Sequence, residues 1–225
     1  MIMMIGVLAL QGDFAEHLVM LKRVGVETAE VRLPDHLDGL DGLIIPGGES
    51  TTIGKLAVDF GLMDPLRDFG KSRAIWGTCA GAVLLSKNAH HEQPLLDIMD
   101  IIVRRNAFGS QLNSFEADLD IASLKQAANT DKPYHAVFIR APIIESVSGD
   151  AKVLLTLPDG RIVAAQQGKL LATSFHPELT GDTRFHEFFI SLSKTTPLVS
   201  PFLARRASPR RHSPPTPTCF FDDES

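Results

Sequence analysis

The chain has 225 residues, 44% of them hydrophobic and 22% charged, with a mean hydropathy of +0.06. This composition excludes a wholly disordered or fibrous chain and suits one large α/β domain with room for a tail. A formal charge of -5 gives no global reason to expect nucleic acid, and no apolar run approaches the roughly 20 residues of a bilayer span.

From Met3 to Leu192, short β-rich runs alternate with helical stretches, the rhythm of βαβ units around a mostly parallel sheet. The opening Met1-Ile2-Met3-Met4-Ile5-Gly6 lacks a basic n-region and a long apolar core, so it reads as the start of a strand and not as a secretory signal. That strand is expected from Met3 to Leu10. Gln11-Gly12-Asp13 then turns the chain, and Asp13 with Glu16 predicts a capping box for a helix whose Phe14, Leu18 and Leu21 share one face. Val26 to Leu33 reads as a second strand and Leu43-Ile44-Ile45 as a third, stopped by Pro46-Gly47-Gly48. Ser50 or Thr51 is expected to cap the next helix, which carries Ile53, Leu56 and Phe60. Ala74-Ile75-Trp76 forms a fourth strand and runs through Gly77-Thr78-Cys79-Ala80-Gly81 into a helix with Val83-Leu84-Leu85.

Further strands are expected at Ile98 to Val103, Ala136 to Ile139, Lys152 to Leu157, Ile162 to Ala165 and Leu170 to Phe175, some antiparallel across short loops such as Pro158-Asp159-Gly160. A last helix uses Phe185, Phe188, Phe189 and Leu192. Beyond it, Pro197, Pro201, Pro209, Pro214, Pro215 and Pro217 lie among Ser, Thr and Arg without apolar periodicity. Residues 1–196 therefore read as one domain and 197–225 as a disordered tail, in which Arg205, Arg206, Arg210 and Arg211 form a solvated basic cluster. The two cysteines, Cys79 and Cys219, cannot build a disulfide framework and point to a reducing, cytoplasmic setting.

Three short segments carry chemistry. Gly77-Thr78-Cys79-Ala80-Gly81 has the Gly-x-nucleophile-x-Gly spacing of a nucleophile elbow, with small neighbours because the backbone there turns sharply. The elbow would place Cys79 at a helix N-terminus, where the dipole and free N–H groups favour the thiolate; the competing reading is a buried structural cysteine. His176-Pro177-Glu178 follows an apolar strand, which suits a base that reaches a nucleophile on a neighbouring strand and a carboxylate that orients the imidazole. Pro46-Gly47-Gly48-Glu49-Ser50 lies between a strand and a helix. Phosphate binding lacks its Walker or GxGxxG partners there, and the loop taken alone is an ordinary tight turn. With a cysteine nucleophile nearby, the N–H groups of Gly48 and Ala80 would instead serve as oxyanion donors. His90-His91-Glu92 is rejected as a metal site, because adjacent histidines point to different sides and no further ligand spacing completes the set.

Taken together, these segments resemble class I (triad-type) glutamine amidotransferases, and within them the glutaminase-subunit family of pyridoxal 5'-phosphate synthase, the PdxT/SNO family. The resemblance runs from about Ile5 to Leu192. Its most specific parts are Gly6 to Asp13, Pro46 to Thr52, Trp76 to Gly81, Arg105-Asn106-Ala107-Phe108-Gly109, Phe138-Ile139-Arg140-Ala141-Pro142 and Ser174 to Thr180. It implies an αβα three-layer sandwich of the flavodoxin-like kind and a triad of Cys79, His176 and Glu178. It also implies that glutamine is held by Gly48, Glu49, Ser50, Arg105, Ile139 and Arg140. An arginine suits the substrate's α-carboxylate and an acid such as Glu49 its α-ammonium, although spacing does not decide which group meets which. The resemblance implies no metal or organic cofactor. It implies that ammonia passes to a separate synthase subunit, which touches the Gln11-Gly12-Asp13 turn and the helix beginning near Phe14. Two departures stand out: Ser110 occupies a position where the family usually carries arginine, and the tail has no counterpart. The glutaminase subunit of another amidotransferase, or a cysteine hydrolase of the related peptidase and chaperone superfamily, would also keep the elbow; the latter commonly carries histidine directly after the nucleophile, where this chain has Ala80. A non-catalytic regulatory or scaffold protein of the same fold would have no reason to keep Cys79, His176 and Glu178 together.

Overall fold

The computed structural model describes residues 3–105, 114–121, 124 and 130–194. The expected tail at 197–225, the Asn106 to Gly109 stretch and Ser110 lie outside the described residues.

Twelve strands occur among the described residues: β1 Met4–Leu8, β2 Glu27–Val31, β3 Gly42–Ile45, β4 Ala74–Thr78, β5 Ser86–Asn88, β6 Met99–Arg104, β7 Ser114–Leu119, β8 Tyr134–Ile139, β9 Ile143–Val147, β10 Lys152–Thr156, β11 Ile162–Gln167 and β12 Leu170–Thr173. The helices are α1 Phe14–Arg23, α2 Ser50–Asp59, α3 Met63–Gly70, α4 Ala80–Leu85 and α5 Arg184–Lys194. The main sheet runs β2-β1-β3-β4-β12-β11-β9-β6-β5, with β10 paired to β11. Its first five strands are mutually parallel. β3, β4 and β12 are buried along their whole length, as strands covered by helices on both faces must be.

The helices complete the expected αβα sandwich. On one face α2 and α4 bury Ile53, Ala57, Val83 and Leu84 against the sheet, joined by Leu66 of α3. On the other, α1 and α5 bury Leu21, Phe185, Phe189 and Ile190 around Trp76. The recurrence of Phe185, Phe189 and Leu192 at helical spacing therefore reports the buried face of α5 correctly, with Phe185 and Phe189 fully enclosed.

Several expectations need correction. β1 and β12 are shorter than predicted, and past Thr173 the chain leaves β12, with Ser174 N–H donating to Val163 O and His176 N–H to Val137 O. Ala136 to Ile139 belongs to β8, which pairs with β7 in a separate two-stranded ribbon. Asp13 stands at the N-terminus of α1 but makes no side-chain capping bond, so the expected box with Glu16 is absent. The cap of α2 is neither Ser50 nor Thr51 but Glu49, whose carboxylate accepts from Thr51 N and Thr52 N. α3 and β9 carry no signal that the sequence reading used. Pro65 looks like a helix breaker, yet in the first turn of α3 its missing N–H is one that has no intrahelical acceptor anyway. Among the described residues no helix is long and apolar enough to cross a membrane.

Candidate active site

Adjacent parallel strands share a direction, so the loops at their C-terminal ends gather along one sheet edge. Here β1, β3, β4 and β12 deliver the Gln11–Asp13 turn, the Pro46–Ser50 loop, Cys79 and the His176–Glu178 turn to that edge.

Cys79 ends β4 and precedes α4 with φ 46° and ψ -104°, a conformation that L-residues rarely adopt and that costs about 1–3 kcal/mol. Its N–H donates to Thr173 O at 2.8 Å, which ties the elbow to β12. The flanking glycines are required by close approach. A Cβ on Gly81 would stand 2.0 Å from Ile45 O, and one on Gly77 would stand 2.5 Å from the Gly81 carbonyl. Gly81→Ala is therefore expected to yield little soluble, folded protein, since the obstacle is backbone that cannot rotate away. A thermal melt within about 1 kcal/mol of the parent would contradict this.

His176 is buried, and its Nδ1 lies 2.6 Å from Glu178 Oε1. That leaves Nε2 for Cys79, which lines the same cavity as the imidazole. Nδ1 has a second acidic neighbour, Asp13 Oδ2 at 3.4 Å. Burial pulls the His176 pKa down, but the bonds to Asp13, Cys79 and Glu178 outweigh it and push the value up to about 12. The same imidazole hydrogen bond holds the Asp13 carboxyl below its usual range. By sequence Asp13 reads as a cap, which is the commoner use of an Asp before an apolar-periodic run.

The sulfur faces a cavity of about 480 Å³, within the ordinary range for a small-molecule pocket. Gly48, Glu49, Ser50, Cys79, Ala80, Arg105, Ile139, Arg140 and His176 all line it, while Glu178 lies behind His176. Every expected site residue is thus at one place. Gly48 has φ 151° and packs on Gln11, whose Oε1 accepts from Glu49 N–H at 2.8 Å. Ala80 opens α4, so its N–H has no intrahelical acceptor by position.

Glu49 lines the cavity and is engaged by its own neighbours as well. Burial raises its carboxyl, yet the Thr52 hydroxyl and the Thr51 and Thr52 N–H groups prevail and lower it to about 2. It also pairs with Arg105, whose Nη2 lies 3.0 Å from Glu49 Oε1. Arg105 Nη1 donates to Thr51 Oγ1 and to Gln93 Oε1, each at 3.0 Å. Ser50 Oγ donates to the same Gln93 oxygen. Gln93 sits in a polar loop with no sequence signal, and it joins the rim residues Ser50, Thr51 and Arg105 into one network. His90, the rejected metal ligand, pairs with Glu145. A wider groove of about 750 Å³ around Asp64, Arg67, Lys71 and Leu170 lies at the opposite strand ends and offers neither thiol nor imidazole.

The chain matches the family described as SNO glutamine amidotransferase family over residues 7–194. Among curated relatives, a pyridoxal 5'-phosphate synthase subunit PdxT of Roseiflexus sp. (strain RS-1) is 54% identical, over 84% of this chain and 100% of that protein. One of Herpetosiphon aurantiacus is 56% identical with the same coverage. A crystal structure described as a glutamine amidotransferase is 49% identical with a TM-score of 0.78, over 85% of this chain and 99% of that one. A structure of PurLQS from Thermotoga maritima, 16% identical with a TM-score of 0.57 over 85% and 99% of the two chains, shares the fold alone. With the match spanning most of the sequence and relatives more than half identical along it, the chain belongs to the SNO glutamine amidotransferase family.

Proposed function

We propose that the protein hydrolyses L-glutamine to L-glutamate and ammonia through Cys79, His176 and Glu178, and hands the ammonia in the cytoplasm to a separate synthase subunit that builds pyridoxal 5'-phosphate. The observation that carries this reading is the strained Cys79 lining a cavity large enough for glutamine, beside an imidazole whose Nδ1 is held by a buried carboxylate. The relatives' description as subunits of pyridoxal 5'-phosphate synthase supports the acceptor.

In this mechanism the Cys79 thiolate attacks the carboxamide carbon, and the N–H groups of Gly48 and Ala80 receive the oxygen as it becomes negative. His176, favoured in its charged form, gives the Nε2 proton to the departing ammonia, which leaves a γ-glutamyl thioester on Cys79. The imidazole, now neutral, takes a proton from water, and the resulting hydroxide cleaves the thioester to glutamate. Glu178 keeps Nδ1–H in place throughout. Arg105 and Glu49 offer charges of both signs at the rim, so opening their ion pair would present one to the α-carboxylate and one to the α-ammonium of the substrate. No metal or organic cofactor enters this scheme.

The test uses the chain together with the synthase subunit, the sugar phosphates and glutamine labelled at the amide nitrogen. Glutamate should form and the label should appear in the ring of pyridoxal 5'-phosphate. Absence of glutamate would overturn the glutaminase reading, and glutamate without label transfer would overturn the acceptor.

A further inference from the structure

Behind Glu178 lies a second polar layer that the mechanism above does not use. His17 of α1, His186 of α5, Thr78 and Glu178 are all buried. His17 Nε2 stands 3.2 Å from Glu178 Oε2 and 3.2 Å from Thr78 Oγ1. His17 Nδ1 stands 3.0 Å from His186 Nε2. Both rings pack edge-on against Trp76, with centroids at 5.8 Å and 5.1 Å. The groups form a line from Cys79 through His176, Glu178 and His17 to His186.

The line selects its own tautomers. Glu178 Oε2 makes no well-aligned hydrogen bond among the described residues, and an oxygen of a buried carboxylate left so is expensive. If His17 carried its proton on Nδ1, its Nε2 lone pair would face that carboxylate. His186 would then have to accept at Nε2 and bury an N–H at Nδ1, an atom without a partner among the described residues. With the proton on His17 Nε2 the fault at His186 vanishes, and Glu178 Oε2 faces an N–H at 3.2 Å instead of a lone pair. The N–H points into the gap between Thr78 Oγ1 and Glu178 Oε2, Nδ1 accepts from His186 Nε2–H, and only a lone pair is left at His186 Nδ1.

We propose that His17, fixed by His186 as its Nε2–H tautomer, is a positioning residue that donates to Glu178 Oε2 and so holds the carboxylate that orients His176. The inference rests on the triad reading given above. Two further features support it. Burial pushes the Glu178 carboxyl upward against the bond from His176, so a second donor at Oε2 would favour its ionised form. Burial also lowers His17 well below the usual histidine value, followed by the charges of His186 and His176, and burial lowers His186 to about 3, so both rings stay neutral at pH 7.

The experiment measures glutamate release in the complex with the synthase subunit. His17→Phe keeps a ring and removes the donor; His17→Gln places an amide N–H near the same point. His17→Phe should lower kcat about tenfold or more with KM unchanged, because His17 does not line the cavity, and His17→Gln should restore most of the loss. In a Glu178→Gln background, His17→Phe should cost no more than about twofold further, since the group it holds is already gone. Losses that multiply in full in that double variant, or a shift in KM alone, would reduce His17 to a packing residue. If His17→Phe does not fold, side-chain proton–nitrogen NMR of the unaltered protein decides: a proton on His17 Nδ1 overturns the proposal, and one on Nε2 upholds it. Turnover retained by Cys79→Ser would instead bring down the triad reading itself, so the two failures remain distinct.

Discussion

Cys79→Ser is expected to bring glutamate release down to the blank, a loss on the order of ten-thousandfold or more, while the melting curve stays that of the parent. A serine hydroxyl is slightly smaller than the thiol and fits the same buried elbow, but it is a weak nucleophile unless its base is strong and neutral. Here the base is held in its charged form by Asp13, Cys79 and Glu178, which suits a thiolate partner and disarms an alcohol. His176→Ala should be nearly as damaging. Glu178→Gln should cost at least about tenfold less than His176→Ala, for a reason visible only in three dimensions: Asp13 Oδ2 also faces Nδ1, at 3.4 Å, and keeps an acidic partner for the imidazole. Measurable turnover by Cys79→Ser would remove the nucleophile from the scheme. A Glu178→Gln defect larger than that of His176→Ala would show that the carboxylate does more than orient.

Much of the site was legible because its chemistry follows strand ends. A Gly-x-Cys-x-Gly turn and a His-x-Glu turn each follow an apolar run, and parallel strands bring such ends to one edge without any need to know the strand order. What could not be read is whatever depends on contact between distant parts of the chain. Asp13 reads locally as a cap and Glu49 as a substrate ligand, and neither pattern reveals the neighbours that the fold gives them. Glu49 caps α2, and Asp13 faces the imidazole of His176, which lies far from it in the sequence. Gln93 and the His17–His186 pair have no local pattern at all. His17 and His186 occupy helix faces that look like ordinary amphipathic positions, and only the packing of α1 and α5 on the same side of the sheet brings them within 3.0 Å. β7 and β8 show the same limit for the fold: their alternation marks a half-buried strand but not that the pair stands outside the main sheet.

Adding the synthase subunit in stoichiometric amount is expected to raise the initial rate of glutamate release by about a hundred- to a thousandfold, the usual worth of one oxyanion donor. The geometry supplies a route. The Gln11–Asp13 turn grips the oxyanion loop by two bonds, Asp13 N–H to Gly47 O at 3.1 Å and Glu49 N–H to Gln11 Oε1 at 2.8 Å. The contact is so close that a Cβ on Gly12 would meet Gly47 O at 1.8 Å. Movement of the turn therefore reaches the Gly47–Gly48 peptide directly, and glycine at both positions lets that peptide rotate without a side-chain penalty. α1 begins where the turn ends and exposes Glu16 and Val19 on its outer face, a ready handle for a partner. Because Asp13 also faces His176, altering it would confuse contact with catalysis, and Glu16→Lys combined with Val19→Asp isolates the contact. Equal rates with and without the synthase subunit would refute gating by the partner. A gain that survives the Glu16 and Val19 changes undiminished would leave gating intact but move the contact away from α1, whereas a gain that disappears while the basal rate holds would place the switch on the turn that α1 carries.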